Sequence, residues 1–513
     1  MSEPRARVYP DTYVDSVLLM GATRAMGAAA GVEWSAAVMG TPANREDLAA
    51  AGFAAAAGVG AARANDLVLA VRAATGEEAE AALGAGYAAL GAAGRAGRAA
   101  TEETRPADLD AALAALGEAN VAIVSVPGPF AALEAHKALS AGLHVLLFSD
   151  NVPLADEVEL KSRAAGLGLL VMGPGAGTAM LGGTGLGFAN AVRPGRVGVV
   201  AAAGTGAQEV MCLLDRWGEG VRQAIGVGGR DLSAAVGGEM ARAGLRALAA
   251  DPAAEAVILV SKPPSPAIAA DLLATPMGKP VVAALIGLRE PLEAPAGVTL
   301  EATLEQAVVR TIEILGSPVP DPGAGLGDLV GPAIARLSPE RRAVLGLFSG
   351  GTLAYESMVV MTRHLGPIRS NTPLQEGWAL PAPPGAHVCL DLGEEEFTRG
   401  RPHPMIDPAA RADRIAAAAD DPAVGAVLID VVLGYGSHPD PAAVLAPACA
   451  AAGRGGAVVV AYVLGTEADP QRRSAQEAAL GAAGCLLAPT AARAALMAAA
   501  IAIRQPELAG SRP

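Results

Sequence analysis

Cysteine is scarce in this chain, with four residues among 513. Cys212, Cys389, Cys449 and Cys485 lie far apart, each in or beside an apolar run, and no pair has the CxxC spacing of a metal or redox site. A free cysteine in apolar surroundings is usually a buried thiol that packs like a small apolar residue. We therefore predict four buried free thiols and no metal site.

Positive charge is also scarce. The formal net charge is −14, and the only lysines are Lys137, Lys161, Lys262 and Lys279. A nucleic-acid-binding protein needs a basic stripe to neutralise phosphates, and this sequence has none. We therefore exclude nucleic acid as a partner, while a few cations remain available to bind small anions.

Long apolar stretches are missing as well. The N-terminal residues Met-Ser-Glu-Pro-Arg-Ala-Arg lack the apolar core of a signal peptide. No uncharged run reaches the length of about 20 strongly apolar residues that spans a membrane. The sequence predicts a soluble cytoplasmic protein without a membrane partner.

What the chain does contain is a repeated alternation of short apolar strands and helices. It is 52% hydrophobic and has 63 glycines, and this alternation is typical of α/β domains with parallel sheets. We predict a small α/β domain, ferredoxin-like, over residues 1–100 and a Rossmann-type unit over 101–195. Two flavodoxin-like, doubly wound units follow over 196–316 and 343–513, and a Pro/Gly-rich linker over 317–342 joins them.

Within the first domain, two apolar runs are predicted as strands and one segment as a helix. The strands are Val14–Met20 and Trp34–Met39, and the helix is Asn44–Ala51 with Asn44 as its N-cap.

Two strand–turn–helix stretches organise the rest of the sequence. Val197–Ala201 is read as a buried strand that ends in Gly204-Thr205-Gly206, and a helix follows. The same design recurs with the strand Val344–Phe348 and the turn Ser349-Gly350-Gly351-Thr352. A helix that starts beyond the carboxyl end of a strand offers free N–H groups to an anion. We predict that these two turns form one anion site, with their helix starts in a shared cleft.

Three further loops follow predicted strands and lie where ligands bind in open α/β sheets. They are Pro127-Gly128-Pro129-Phe130, Gly173–Thr178 and Gly226-Val227-Gly228-Gly229-Arg230-Asp231.

These turns resemble the succinyl-CoA synthetase superfamily. Its α chain has a Pro-Pro-Phe-Ala turn and a Gly-Pro-Asn-Cys turn, to which Gly128-Pro129-Phe130-Ala131 and Gly173-Pro174 are similar. Its phosphate-binding Ser-Gly-Thr turn is similar to Ala203-Gly204-Thr205, and its Gly-Ile-Gly-Gly-Asp turn to Gly226–Gly229 with Asp231 one residue later. The resemblance implies a CoA-binding-type Rossmann domain over 101–195, an α-like ligase domain over 196–316 and a β-like domain over 343–513.

Within that superfamily the chain resembles the FdrA proteins along most of its length. The distinctive stretches are Leu186–Asn190, Ile225–Ser233, Gly400–Pro408 and Gly465–Ser474. FdrA proteins commonly read Gly-Pro-Asp-Cys-Gly-Thr where this chain has Gly173-Pro-Gly-Ala-Gly-Thr178, so a role for that carboxylate or thiol is not carried over.

Two parts of the synthetase machinery are absent. The relay histidine of the synthetase follows a strand ending Lys-Pro-Val-Val, but Lys279–Val282 is followed by Gly287-Leu-Arg-Glu-Pro-Leu292, and no histidine occurs between His144 and His364. The sequence also has no counterpart of the ATP-grasp domain. A phosphohistidine relay needs both a nucleophile and a nucleotide, so we predict that this chain alone does not phosphorylate itself.

The FdrA resemblance implies a subunit of an oxamate carbamoyltransferase in allantoin (purine) breakdown, acting with companion subunits of the same operon in an oligomer. Carbamoyl phosphate is already an activated acyl phosphate, so positioning and electrostatic stabilisation could replace a covalent relay. The alternatives are an acyl-CoA synthetase subunit, which would use an acyl phosphate and a small carboxylate, and a non-catalytic scaffold. CoA is possible by resemblance; no cofactor is predicted otherwise.

The candidate residues fall into three groups. Arg230, Arg401 and His403 are the candidate catalytic residues, with a salt bridge between domains as the alternative for the arginines and a turn role for His403. The candidate phosphate- and substrate-binding residues are Gly204, Thr205, Gly206, Gly228, Gly229, Ser349, Gly350, Gly351 and Thr352. By resemblance, the candidate cofactor-binding residues are Pro127, Gly128, Pro129, Phe130, Gly173 and Pro174.

Overall fold

The computed structural model describes residues 4–14, 16–56, 58–98, 106–288, 290–398 and 402–513. The chain forms two compact units, one within the first 107 residues and the other built from residues 108–398 and 403–513. No helix in these described ranges is long and apolar enough to cross a membrane.

The first unit is a small sheet with helices. Its elements are β1 (Pro4–Tyr9), α1 (Ser16–Gly27), β2 (Val32–Met39), α2 (Pro42–Leu48), β3 (Leu67–Ala73) and α3 (Gly76–Arg98). The strand order is β1-β3-β2, and β3 runs antiparallel to both neighbours. Three strands of a ferredoxin-like sandwich have this order, and no fourth strand joins them among the described residues.

Two predictions in this unit are wrong. The run predicted as a strand over residues 14–20 lies largely in α1, because its apolar residues continue at helical spacing and bury Leu19, Ala22 and Met26. The helix predicted to be capped by Asn44 starts earlier, and its cap is Thr41, whose hydroxyl accepts the Asn44 N–H.

The second unit begins with a short parallel sheet. Its order is β4-β5-β6, and both strand pairs are parallel. The elements are α4 (Leu109–Leu116), β4 (Val121–Val124), α5 (Gly128–Ser140), β5 (His144–Leu147), α6 (Leu154–Leu167) and β6 (Val171–Met172).

A seven-stranded sheet follows, with the order β13-β12-β11-β9-β10-β7-β8. Strands β9 to β13 are parallel, and the hairpin β7–β8 adds an antiparallel edge. The elements are β7 (Thr178–Leu181), β8 (Thr184–Gly187), β9 (Pro194–Ala202), α7 (Gly204–Arg216), β10 (Val221–Gly226), α8 (Glu239–Ala250), β11 (Ala256–Ser261), α9 (Pro266–Leu273), β12 (Val281–Leu285), β13 (Val298–Glu301) and α10 (Leu304–Ile314).

The C-terminal part forms a six-stranded parallel sheet with the order β15-β16-β14-β17-β18-β19. Its elements are α11 (Leu326–Arg336), β14 (Ala343–Phe348), α12 (Gly351–Leu365), β15 (Ile368–Ser370), β16 (His387–Asp391), α13 (Glu395–Thr398), α14 (Ala409–Ala417), β17 (Val424–Val432), α15 (Pro441–Arg454), β18 (Val458–Leu464), α16 (Arg473–Ala482), β19 (Leu486–Ala488) and α17 (Ala491–Ile503). Helix α11 lies inside the segment predicted as a linker and buries Val330 in the core.

The predicted α/β fold class is confirmed by these parallel sheets. The two larger sheets share one core, which includes side chains of α7, α12 and α17. Helix α17 is buried along nearly its whole length because Ala, Leu and Met cover all of its faces. All four cysteines are free and buried, as predicted. This common core fixes α7 against α12, and the candidate site lies where these helices begin.

Candidate functional site

The two glycine turns meet at the starts of α7 and α12. The N–H of Thr352 donates to Thr205 Oγ1 at 3.2 Å. A Cβ on Gly350 would lie 2.9 Å from the Thr205 methyl carbon, and one on Gly206 would lie 3.0 Å from the Thr352 methyl carbon. Glycine at both positions therefore permits the close approach. The prediction that the two helix starts lie together is confirmed.

The second turn, Ser349 to Thr352, already binds a carboxylate of the protein, that of Asp430. The N–H groups of Ser349 and Gly350 donate to the Asp430 carboxylate at 2.8 and 2.7 Å, and the Ser349 hydroxyl donates to it at 3.0 Å. Arg411 pairs with the same carboxylate, and both side chains are buried. Asp430 thus occupies the place that the sequence assigned to a phosphate, while the phosphate role of Ser349 and Gly350 stays a prediction.

The first turn, by contrast, has open donors. Ala203, which precedes α7, supplies no side-chain cap. In the described part of the chain, the amides of Gly204, Thr205 and Gly206 have no hydrogen-bond acceptor. Gly204 is exposed, and a Cβ added there would meet no atom within 4 Å. The positive end of α7 is therefore open to a ligand at Gly204, while Thr205 and Gly206 are buried behind it.

A buried carboxylate and a lysine flank this helix pair, and the sequence analysis missed both. Asp391 is the last residue of β16 and is 3% exposed, and its Oδ1 accepts the Gly393 N–H at 3.0 Å. A Cβ added to Gly351 would collide with Asp391 Oδ2, so the carboxylate lies against the first residue of α12. Lys262 directly follows β11 in the neighbouring sheet. Their signal in the sequence is that each stands at the carboxyl end of a parallel strand.

The electrostatic surroundings of Asp391 raise its pKa to about 7. Burial is the largest cause, and the negative charge of Glu394 adds to it. The Gly393 N–H and the positive charge of Lys262 act in the opposite direction, while Asp430 raises the pKa further. Asp391 can therefore exchange a proton near neutral pH.

Lys262 differs from the other lysines in its partners. Lys137 pairs with Glu134, Lys161 with two buried carboxylates, and Lys279 donates to backbone carbonyl oxygens. Among the described residues, the Lys262 ammonium has no ion pair or hydrogen bond. It remains available to an anion at the start of α7.

His403 lies on the same side of the C-terminal sheet. A Cβ on Gly393 would be 2.7 Å from His403 Nε2, and His403 Nδ1 accepts the Met405 N–H at 3.2 Å. Burial lowers the His403 pKa to about 4, so the imidazole is neutral at pH 7 with its proton on Nε2. Arg401 lies outside the described residues.

The predicted cofactor loops form a second group of residues. Aromatic contacts connect this group to His403 beside the helix starts. Gly128 packs against the backbone carbonyls after β5, and a Cβ on Gly228, which has φ +87°, would lie 2.7 Å from the carbonyl carbon of Gly173. The structure thus brings the 173–174 and 228–229 turns into contact, while the 127–130 turn lies against residues 150–151, which Gly175 also approaches. Phe148, after β5, lies 5.7 Å from Phe188 between ring centroids, and Phe188 lies 6.3 Å from His403.

Arg230 is held within this second group. Its Nε lies 2.7 Å from Glu157 Oε2, and its Nη2 donates to the Val152 carbonyl at 2.8 Å. Its side chain remains 47% exposed. Glu157 and Asp231 are in turn bridged by buried Lys161, with 2.8 Å to each carboxylate. This is the ion-pair arrangement that the sequence left open as the alternative role of Arg230.

A cavity of about 260 Å³ adjoins the helix pair. It is lined by Pro263 and Pro264 after Lys262, by Gly287 and Leu288 after β12, and by Tyr355 of α12. The 287–292 stretch replaces the relay-histidine turn of the synthetase, so the cavity lies where that turn would follow its strand. The described residues contain no group of His, Cys, Asp and Glu side chains that could hold a metal ion.

Two family models match parts of the chain. Residues 347–501 match a family described as CoA-ligase, and residues 1–106 match one described as AllF, heavy metal-associated domain. Residues 1–106 contain neither cysteine nor histidine, so the sequence of this domain offers no thiolate or imidazole ligand to a metal ion.

Relatives are similar to the chain over different lengths. The Escherichia coli protein YahF, itself uncharacterized, is 37% identical over 96% of this chain and 97% of its own length. The succinate–CoA ligase (ADP-forming) subunit alpha 2 of Archaeoglobus fulgidus is 29% identical over 39% of this chain and 72% of its own. A solved acetyl-coenzyme A synthetase of Ca. Korarchaeum cryptofilum covers 76% of this chain and 84% of its own, with 16% identity and a TM-score of 0.30.

Proposed function

We propose that this chain, which belongs to the same family as Escherichia coli YahF, is an FdrA-type subunit of a carbamoyltransferase. Its scaffold is of the succinyl-CoA synthetase type, and its first domain is related to the AllF domain. In the proposed reaction, a carbamoyl group passes between phosphate and the amide nitrogen of oxamate in purine nitrogen breakdown. Companion subunits and a cytoplasmic location are part of the proposal.

The observation that carries this proposal is the open anion site without a relay nucleophile. The start of α7 has three amides without an acceptor among the described residues, and Lys262 follows Ser261, which pairs with Ala202 just before α7. The turn after β12 has no histidine. A site that binds a phosphate but cannot accept a phosphoryl group suits a substrate that arrives already activated. Carbamoyl phosphate is such a substrate.

The chemistry follows from this arrangement. The amides of Gly204, Thr205 and Gly206 hold the phosphate of carbamoyl phosphate, and Lys262 neutralises its charge as the leaving group develops. The cavity beside Tyr355 has room for a small acceptor such as oxamate. Transfer then depends on holding the two reactants together rather than on a covalent intermediate.

An acyl-CoA synthetase subunit is the second candidate, because residues 347–501 match the CoA-ligase family. In that case the 127–130 and 173–174 turns would hold CoA, and a partner would supply both nucleotide and nucleophile. The group formed by those turns with Gly228 is compatible with such a ligand.

The test is to purify the chain with the proteins encoded beside it and to offer two substrate sets. Carbamoyl phosphate with oxamate should release phosphate and form carbamoyl-oxamate, whereas ATP, CoA and succinate should give no ADP. ADP release that depends on CoA and a carboxylate would favour the ligase. An acid-labile phosphohistidine on the chain after incubation with labelled ATP would contradict the proposal directly.

A further inference from the structure

We propose that Asp391 is the catalytic base of the glycine-turn site, accepting the proton of the attacking nitrogen, with Lys262 opposite it as the anion-binding cation. This inference rests on the proposed carbamoyl transfer and names its acid–base group.

The position of Asp391 is the first argument. It lies at the carboxyl end of β16, against Gly351 at the start of α12. The next residue of α12, Thr352, is hydrogen-bonded to Thr205 of α7. A ligand at the open start of α7 therefore lies beside the helix start that Asp391 contacts.

The second argument is that the neighbouring carboxylate, Asp430, already has partners for its oxygens. Asp430 accepts three hydrogen bonds from Ser349 and Gly350 and pairs with Arg411, so its oxygens are committed. Among the described residues, the Asp391 side chain accepts one hydrogen bond, from the Gly393 N–H. Of the two buried carboxylates at this helix start, Asp391 is therefore the one with capacity for a proton.

The charged groups around Asp391 set its proton affinity. Glu394 lies in the turn after β16, Asp430 on β17, and Lys262 follows β11. Burial and the two carboxylates raise the pKa of Asp391, the Lys262 charge lowers it, and the result is about 7. A base with a pKa near the working pH is effective, because it is partly ionised yet still accepts a proton.

The proton transfer can be written with its bonds balanced. The oxamate nitrogen forms a bond to the carbonyl carbon of carbamoyl phosphate, and one of its two N–H protons passes to the Asp391 carboxylate. The bond between that carbon and the bridging oxygen then breaks, and its electron pair leaves with phosphate. An amide nitrogen is a poor nucleophile, so removal of its proton is the step that needs assistance.

The experiment compares Asp391→Asn with Glu394→Gln in the complete complex. Asp391→Asn should lower kcat about 10²- to 10⁴-fold and leave KM for carbamoyl phosphate nearly unchanged. It should also abolish the acidic limb of the kcat/KM–pH profile. Exposed Glu394 is the matched control, and Glu394→Gln should keep kcat while moving that limb to lower pH, since a like charge is removed.

Lys262→Met should shift the acidic limb of the kcat/KM–pH profile in the opposite direction. Loss of the positive charge should raise the pKa of Asp391 and move the limb to higher pH, besides raising KM for carbamoyl phosphate. An Asp391→Asn complex that keeps a normal kcat, or limb shifts of the reverse signs, would overturn the assignment.

A measurement without turnover separates this inference from the proposed function. The carboxyl resonance or infrared band lost in Asp391→Asn should titrate near pH 7 in the folded native chain. If the native complex makes no carbamoyl-oxamate but this group titrates near pH 7, the carbamoyltransferase proposal fails alone. If the group titrates below about pH 5, the base assignment fails whatever the reaction.

Discussion

Replacing Lys161 by methionine should destabilise the second unit more than any surface lysine change. The Lys161 ammonium lies 2.8 Å from Glu157 Oε1, 2.8 Å from Asp231 Oδ1 and 2.9 Å from the Val227 carbonyl. The three side chains are at most 1% exposed. All three ammonium protons are therefore used, and the methionine variant leaves two carboxylates buried without their cation.

The loss in the free energy of unfolding depends on the partners that the two carboxylates retain. Within the described ranges, Asp231 keeps the Ala241 N–H at 2.9 Å as its one remaining partner, and Glu157 keeps half-exposed Arg230 at 2.7 Å. Breaking a buried pair by removing one partner costs about 3–5 kcal/mol in the free energy of unfolding. Because Glu157 retains one cation, we expect a value toward the lower end, about 3 kcal/mol.

Urea unfolding followed by the fluorescence of Trp217, which packs on the core of this unit, measures the cost. Trp34 of the first unit should be changed to phenylalanine in every variant, so that the remaining signal comes from Trp217 and Trp378, both in the second unit. Lys137→Met is the matched control, since Lys137 forms a half-exposed pair with Glu134 and should cost less than about 1 kcal/mol. Equal losses for the two lysine variants would refute the reasoning, as would no recovery on adding Glu157→Gln and Asp231→Asn to Lys161→Met.

Three further predictions concern the helix starts and the charges around them. Gly204→Ala should change the free energy of unfolding by less than about 0.5 kcal/mol but weaken phosphate binding about 10-fold or more. Gly350→Ala should lower the free energy of unfolding by about 1–3 kcal/mol, because its methyl group crowds Thr205. Binding calorimetry and melting curves measure both effects, and the reverse pattern would contradict the prediction. Arg230→Lys should lower the free energy of unfolding by about 1 kcal/mol or less and leave KM unchanged, because the Arg230 Nε and Nη2 already bind the protein. A several-fold rise in KM at constant stability would instead support a role for Arg230 in substrate binding. Burial raises the pKa of Glu356 to about 8, so the native state binds more protons than the unfolded state above about pH 4.5, and stability falls as pH rises. Glu356→Gln should therefore gain about 2–3 kcal/mol relative to the native chain between pH 6 and pH 8, and parallel stability–pH curves would contradict this.

The strand–turn–helix units were predictable because their signals are local. The runs before Gly204 and Ser349 are apolar and lead into glycine-containing turns, so their strands and helices appear where expected. The run at residues 14–20 was misread because a short apolar run does not reveal its period. The β7–β8 hairpin was overlooked although its Gly182-Gly183 turn is a usual hairpin signal.

The charges of the site were much harder to predict. Asp391, Asp430 and Lys262 stand at or near the ends of strands in two sheets, and no spacing along the chain relates them. That Asp430 fills the second turn depends on contacts 80 and 81 residues apart. Glycine patterns therefore predict the helix starts, whereas the anion at the second start, the Asp430 carboxylate, is found only in the tertiary structure.

The hydrogen bond between Thr352 and Thr205 also has a consequence for synthesis on the ribosome. Its partners are 147 residues apart, so at about 5–20 residues per second the start of α7 waits roughly 7–30 s for the turn that packs against it. During that interval the shared core lacks α12 and α17, and the apolar face of α7 that they cover is open. A nascent chain stalled in this window should bind a holdase chaperone, and release should follow once α17 has emerged.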